Sequence, residues 1–303
     1  MTLEQLEIFV VVAEREHLTN AAHAIGLTPS AVSASIKALE SFHDVHLFDR
    51  VGRHIELSPT GRAFLPEAKA ILARTRSAEL VLSELGQLHR GTLEIHASQT
   101  IASYWLPSRL MQFRQAFPGI DVRLHVGNTE TVAQAVLDGL AEIGFAEGKI
   151  DNPALATEII DQDIMVIVVR PDHPLANATD ITASTLATQT QWIAREPGSG
   201  TRAALDQALR DKGCDPAKLQ RALVLPSNEA VLAAVSSSDC AAAVSLSAAA
   251  NLVRQGSLRL VDFALPPRAF HSVRHKQRRH GEAVRQLQAI CAGTFDPTTP
   301  TGL

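Results

Sequence analysis

Aromatic side chains are scarce in this sequence, at 4% of its 303 residues, and it has only three cysteines and no excess of positive charge. A formal net charge of −4 excludes a chain that holds nucleic acid by bulk charge, although it leaves room for a local basic patch. Cys214, Cys240 and Cys291 stand far apart and share no metal-binding or redox spacing. Lone thiols in odd number read as small buried apolar residues in a reducing cytoplasm. No uninterrupted apolar span is long enough for a membrane helix, and no Lys/Arg-led apolar run opens the chain, so a cytoplasmic protein is expected. With 46% hydrophobic and 20% charged residues, the length predicts two or three folding units.

The first sixty residues are dense in helix punctuation. Thr2 with Gln5 forms a capping box, and Leu3, Leu6, Phe9, Val10 and Ala13 recur at helical spacing. Thr19 is expected to cap a short helix from Asn20 to Ile25, which Gly26 ends. Thr28 caps a third helix, with Pro29 at its first position, where a missing N–H costs nothing. Two helices separated by three residues predict a helix-turn-helix. In residues 47–61, Ile55 and Leu57 alternate with His54 and Glu56, which predicts a hairpin turning near Gly52. A hairpin in that place is a wing. Ser58-Pro59 then starts a long helix expected to reach about Leu88. Along it Phe64, Ala68, Ile71, Thr75, Ala78, Leu82 and Leu85 step by four and three, the seam of a two-stranded coiled coil or of a packing face within one chain.

On a helical wheel the third helix turns Val32, Ile36 and Leu39 inward and Ser30, Ser33, Ala34, Lys37 and Ser41 outward. Small side chains there allow close approach to a major groove. Arg50, Arg53 and Arg62 add three guanidiniums beside it, a clamp for phosphates. The expected DNA-facing set is Thr28, Pro29, Ser30, Ser33, Ala34, Lys37, Arg50 and Arg53; the alternative is an ordinary solvated face. Residues 1–90 hold eleven acids against nine Lys/Arg, so long-range attraction is modest. His43 and His46 suggest no third ligand and hence no metal.

Beyond Gly86 and Gly91 the pattern changes to strands alternating with helices. Strands are expected around Leu93–Ala97, Val122–Val126, Ile143–Phe145, Met165–Val169, Trp192–Ala194, Leu223–Leu225 and Cys240–Val244, and the first is followed by one helix through Leu106, Leu110 and Phe113. This predicts an open α/β sheet, long enough for two lobes and a cleft. Three polar strand-to-helix turns, at Ser98-Gln99-Thr100, Gly198-Ser199-Gly200-Thr201 and Ser227-Asn228, could aim backbone N–H groups and hydroxyls at one small anionic or polar ligand. Glu147 ends a strand and either faces that cleft, limiting the ligand's charge, or is a solvated turn residue. The expected ligand set is Ser98, Gln99, Thr100, Glu147, Gly198, Ser199, Gly200, Thr201 and Ser227. The late basic run Arg268, His271, Arg274, His275, Lys276, Arg278 and Arg279 reads as a solvated strand end and turn rather than a second nucleic-acid surface. The tail from Phe295 is expected to fray.

No nucleophile elbow, metal triad, P-loop or dinucleotide fingerprint is present, so an enzyme is not expected. Residues 1–62 resemble the LysR-type transcriptional regulators through Leu6-Glu7-Ile8-Phe9-Val10, Ala21-Ala22, Leu27, Ser30-Ala31-Val32-Ser33, Ile36 and Leu39-Glu40. Leu47-Phe48-Asp49-Arg50, Gly52-Arg53 and Leu57-Ser58-Pro59-Thr60-Gly61 are the most specific part of the likeness. Pro29, Ala34 and Ser35 stand where many members carry Gln or Arg. The resemblance implies an α/β chain with an N-terminal winged helix-turn-helix (1–62), a long linker and dimerisation helix (59–89) and a two-lobed effector domain like a periplasmic binding protein. Lobe I would be 90–162 with 268–303, and lobe II 163–267. It further implies promoter DNA, self-association to a dimer of dimers and RNA polymerase as partners, a small-molecule effector and no cofactor. The Glu196–Arg202 run and Gly127-Asn128-Thr129-Glu130 resemble two branches, the CysL-type sulfur-metabolism regulators and the Calvin-cycle regulators. Glu147-Gly148 with Asn152-Pro153 leans to the first, which implies sulfite or sulfate held by Ser98, Thr100, Ser199 and Thr201. A two-lobed solute-binding protein is the rival reading.

Overall fold

A capping box, a left-handed C-cap and an apolar stripe build the first helix, α1 (Leu3–Arg15). Thr2 accepts from the Gln5 N–H while Gln5 accepts from the Thr2 N–H, and Leu6, Phe9, Val12 and Ala13 are buried. The computed structural model describes residues 1–51, 54–85 and 91–295. The chain divides into two compact units, Met1–Gly86 with Asp138–Leu140, and Gln87–Leu137 with Ala141–Leu303.

In the first unit, α2 (Leu18–Ala24) starts earlier than expected. His17 adopts extended backbone and its Nδ1 accepts from the Asn20 N–H at 3.4 Å, so His17 and not Thr19 is the N-cap. Gly26 follows with φ +68°, the left-handed position that ends the helix. The third helix, α3 (Pro29–His43), is capped by Thr28, whose hydroxyl accepts from the Ala31 N–H at 3.2 Å. Strands β1 (Phe48–Val51) and β2 (His54–Leu57) pair antiparallel as the expected hairpin. Gly52 and Arg53 lie outside the described residues. Ser58 caps α4 (Pro59–Leu85) by accepting from the Gly61 N–H, and Gly61 packs so closely on Leu47 that a Cβ would meet its carbonyl oxygen. Phe9, Val32, Ile36, Leu39, Ala68 and Leu72 share one core. The first part of the α4 seam is thus used within the chain, with Phe64 against Phe9 at a ring separation of 5.1 Å, while Ile71 and Ala78 remain exposed. The side chains of Leu82 and Leu85 fall outside the described set.

The second unit holds two five-stranded sheets. The first runs β4-β3-β5-β12-β6, built from β3 (Gly91–Ser98), β4 (Ile120–Gly127), β5 (Ile143–Glu147), β6 (Leu155–Asp163) and β12 (Arg268–His275). The second runs β11-β7-β10-β8-β9, from β7 (Met165–Val169), β8 (Gln191–Arg195), β9 (Gln220–Leu225), β10 (Cys240–Ser245) and β11 (Arg259–Leu260). The pairs β3–β4, β3–β5, β8–β9 and β8–β10 are parallel, whereas β12 and β7 run antiparallel to their neighbours. Only Ile164 separates β6 from β7, so the chain steps between sheets there and returns after β11.

Helices α5 (Gln99–Tyr104), α6 (Leu106–Ala116), α7 (Thr129–Asp138) and α12 (Glu282–Cys291) accompany the first sheet, and α8 (Ala183–Thr188), α9 (Gly200–Asp211), α10 (Asn228–Ser236) and α11 (Leu246–Arg254) the second. The single helix expected after β3 is two, because Pro107 has no N–H to continue it past Trp105. Strand β6 was not expected: as an edge strand it buries only Leu155 and Asp163 and shows no apolar alternation. The apolar run Met165–Val169 is a buried strand, but it pairs antiparallel with both β10 and β11. No helix among the described residues is long and apolar enough to cross a membrane.

Candidate functional site

The outer face of α3 is built as the wheel predicts. Val32, Ile36 and Leu39 are buried; Thr28, Pro29, Ser30, Ala34 and Lys37 are exposed, and Ser33 is half-buried. Thr28 and Ser30 share a hydrogen bond at 3.0 Å. Glu40, at the other end of the helix, accepts from the Leu47 and Phe48 N–H groups and so fixes the start of the hairpin against α3. Ser33, Lys37 and Arg50 line one concavity of about 380 Å³ between helix and wing. Lys37 and Arg50 are exposed cations with no intramolecular ion pair among the described residues. Arg53 lies outside the described residues. Arg62 is exposed, and its Nη1 donates to the Leu57 carbonyl, which anchors it beside the wing with the rest of its guanidinium unengaged by any described hydrogen bond.

In the second unit the three polar turns meet. Gln99 Oε1 accepts from the Asn228 N–H at 2.9 Å and from Arg195 at 3.4 Å. Thr100 Oγ1 accepts from Asn228 Nδ2 at 3.0 Å, and Gln99 Nε2 donates to Glu229. Tyr104 donates to the same Glu229 at 3.0 Å; burial, helped by that bond, pushes its phenol up to about 12. Ser227 does not enter this group, because its hydroxyl caps α10.

At the centre lies Arg268, and here the reading of the late basic run is corrected. Arg268 is buried, not solvated: its Nε donates to Asp163 at 2.8 Å, its Nη1 to Glu147 at 3.2 Å and to Thr201 at 2.9 Å, and its Nη2 to Thr100 at 3.4 Å. Two carboxylates and two hydroxyls replace the water that the guanidinium lost. Asp163 in turn accepts from Ser245 at 2.6 Å, and Ser98 donates to Glu147. Thr201 and Ser245 belong to the second sheet's elements, so this cluster ties the lobes together. Others in the run also have partners: Arg278 donates to the Val136 and Leu137 carbonyls at the end of α7.

The expected ligand residues therefore divide. Ser98, Gln99, Thr100 and Thr201 are engaged in the buried cluster. Glu147, Gly198, Ser199 and Gly200 line an open cavity of about 620 Å³, bounded also by α7 and residues 148–152. Next to it Asn128 donates to Glu196 at 3.2 Å, and in its wall the Glu130 N–H donates to the Gly198 carbonyl at 3.3 Å. Burial works to raise the Glu196 carboxyl, but the Arg195 guanidinium and the Asn128 amide outweigh it and hold it below the usual carboxylate range. Gly198 has φ +82°, and a Cβ there would strike Glu130; a Cβ on Gly200 would strike the Glu147 carbonyl oxygen at 2.5 Å. Ser199, the N-cap of α9, is 3% exposed, makes no capping bond, and its Oγ has no hydrogen-bond partner. Beside it the first N–H groups of α9 are free of helical acceptors, as at any helix start. No group of metal-ligating side chains occurs among the described residues.

Sequence reasoning missed Arg195, Asn228 and Asp163 as well as Arg268. Asn228 sits inside one of the polar turns and Arg195 ends the strand that leads to another, so their position was available; Asp163 and Arg268 carried no local signal.

Residues 3–62 match the family described as bacterial regulatory helix-turn-helix protein, lysR family, and residues 86–296 match the LysR substrate binding domain. The chain is 34% identical to the uncharacterized HTH-type transcriptional regulator YeiE of Escherichia coli over 297 residues, covering 96% of this chain and 97% of that one. It is 33% identical to the HTH-type transcriptional regulator CfxR of Cupriavidus necator over 95% of this chain and 90% of that one, and 33% identical to CysL of Bacillus subtilis over 78% and 77%. Among solved structures, CbnR, a LysR family transcriptional regulator, superposes with a TM-score of 0.69 at 19% identity, over 98% of this chain and 100% of that chain, a likeness of fold. The match over residues 3–62 sets the solute-binding-protein reading aside. The chain belongs to the LysR family: it is a DNA-binding transcriptional regulator with a ligand-binding domain, not an enzyme.

Proposed function

We propose that this regulator binds promoter DNA through α3 and the β1–β2 wing, and that a small oxyanion in the open interlobe cavity, sulfite or sulfate, modulates that binding. The head is residues 1–62, the linker 59–89, lobe I 90–162 with 268–303, and lobe II 163–267. Thr28, Pro29, Ser30, Ser33, Ala34 and Lys37 meet base edges or phosphates, and Arg50 and Arg53 hold the backbone. The exposed part of the α4 seam pairs with a second copy, and two such pairs make a tetramer. The protein works in the cytoplasm beside RNA polymerase. Ligand binding changes the angle between the lobes, and the paired linkers alter the spacing of the heads along the duplex.

One observation carries the ligand reading: the buried, unpartnered Ser199 hydroxyl beside the open N-terminus of α9, in the wall of the cavity. Calorimetry of the full chain against a panel of sulfur oxyanions tests it, and no heat with any of them sinks it. Gel shifts with the DNA beside the gene's own start test the head: Arg53→Ala weakens binding to all sequences and flattens its salt dependence, and Lys37→Ala lowers affinity. Wild-type binding by both variants would refute this placement of the interface. A second reading has its own support. The cavity, at about 620 Å³, is larger than sulfite needs. CfxR and the RuBisCO operon transcriptional regulator of Allochromatium vinosum are relatives of similar identity. A phosphorylated metabolite belongs in the same panel.

A further inference from the structure

Glu147 is an unexpected neighbour for an anion. One of its oxygens accepts from Ser98 and the other from Arg268 at 3.2 Å, and its side chain is 3% exposed. Arg268 also serves Asp163, so one buried cation faces two carboxylates. The charges that meet around Glu147 come from β12 (Arg268), the end of β6 (Asp163), the start of α7 (Glu130) and the start of α9 (Arg202, itself paired with Asp206 at 3.8 Å). Lys149, paired with Asp151 at 3.1 Å, and Arg210, bonded to Gln207 at 3.5 Å, also line the cavity, so the discrimination argued here rests on the acceptors of Glu147 and not on a lack of cations.

A carboxylate is an acceptor only. With two of its roughly four lone-pair positions used, Glu147 has acceptor capacity to spare and no proton to give. A fully deprotonated oxyanion placed beside it would set acceptor against acceptor and negative charge against negative charge. An oxyanion that still carries a proton removes the first conflict, and the hydrogen bond it gives Glu147 offsets part of the second. Its O–H donates to Glu147, while its remaining oxygens accept from Ser199 Oγ and the first amides of α9.

We infer that Glu147 is a specificity-determining residue which restricts the cavity to oxyanions that retain a proton. Near neutral pH phosphate meets that condition, sulfite meets it in its hydrogen sulfite form, and sulfate does not. The inference rests on the oxyanion reading above and narrows it. Phosphate and sulfate share size and tetrahedral shape and differ in the proton, so their comparison isolates the effect.

The test is titration calorimetry of the full-length protein near pH 7 with sulfite, phosphate and sulfate, on the wild type, Glu147→Gln and Ser199→Ala. Wild-type protein binds sulfite and phosphate at least about tenfold more tightly than sulfate, as expected when a buried acceptor is left unpaired by the wrong ligand. Glu147→Gln offers an amide N–H in place of an acceptor, so sulfate gains about tenfold and the preference disappears. Ser199→Ala weakens all three together and leaves their ratio unchanged. Sulfate bound as tightly as phosphate by the wild type overturns the inference without any variant. A folded Glu147→Gln protein with the wild-type ratio overturns it too, and the oxyanion reading survives either result. Absence of binding by all three ligands to wild type and variant removes the oxyanion reading, and this inference with it.

Discussion

Two groups of cations in this chain are placed in opposite ways. Lys37 and Arg50 stand in solvent on the helix-turn-helix face without an ion-pair partner among the described residues, whereas Arg195 and Arg268 are buried between the lobes with hydrogen bonds to carboxylates, amides and hydroxyls. The first pair keeps its charge available for another molecule. The second spends its charge on the chain's own fold, because a guanidinium withdrawn from water needs substitutes for every bond it lost. A count of basic residues therefore says little about DNA binding here; their partners decide.

The contrast breaks most easily at the buried end. Arg268→Met leaves Glu147 and Asp163 facing each other without a cation, and the expected loss is about 3–5 kcal/mol in urea unfolding of the full chain. Retained stability would mean that the carboxylates find protons or water. At the exposed end, Lys37→Ala and Arg50→Ala change unfolding by less than about 0.5 kcal/mol. In DNA titrations Lys37→Ala costs about 1–3 kcal/mol if the ammonium reaches a base, and Arg50→Ala reduces the salt slope by about one. Thr28 sharpens the comparison because it belongs to both classes, facing outward while capping α3. Thr28→Ala is expected to lower stability by about 1 kcal/mol through the lost cap alone, read in the absence of DNA.

A further contrast is a pH dependence. Burial, with His125 stacked at 4.6 Å, lowers His96 to about 4, and the Glu94 carboxylate only partly opposes this. In the unfolded chain the same ring takes a proton below its ordinary value of 6.5, so the unfolded state binds the proton first. Stability thus falls as pH drops from about 6.5 towards 4 and levels off below that. Thermal unfolding of His96→Gln against wild type over this window should show a shallower decline in the variant. An equal slope would assign the effect to other groups.

The head was legible because its signals are local. Caps lie within three residues of the groups they satisfy, and the apolar stripes of α1 and α3 repeat within one helix. Even there, His17 took the cap expected of Thr19, since extended backbone at His17 put its ring nitrogen within reach of an orphan N–H. The three polar turns of the cleft were also legible, as strand ends that begin helices. Arg268 was not. Its burial depends on Asp163 and Glu147, 105 and 121 residues away in sequence, and a run of His, Arg and Lys looks solvated until those partners are known. Ser199 showed the reverse difficulty: a cap by composition, it makes no capping bond, and only the fold reveals an unused hydroxyl.

Gly200 marks a boundary that one carbon atom can cross. A methyl group there would come within 2.5 Å of the Glu147 carbonyl oxygen and 2.8 Å of the Thr129 hydroxyl, both on the opposite lobe. Gly200→Ala is therefore expected to act as a wedge that prevents the lobes from meeting in this arrangement, while leaving the helix-turn-helix untouched. Such a chain, coexpressed with wild type at varied ratios, would give mixed oligomers whose share of wedged members follows the ratio. If lobe closure changes the grip on DNA as proposed above, the footprint of each mixture on one promoter would report how many closed chains that change requires. A single absent side chain thereby becomes a genetic dosage meter for the whole assembly.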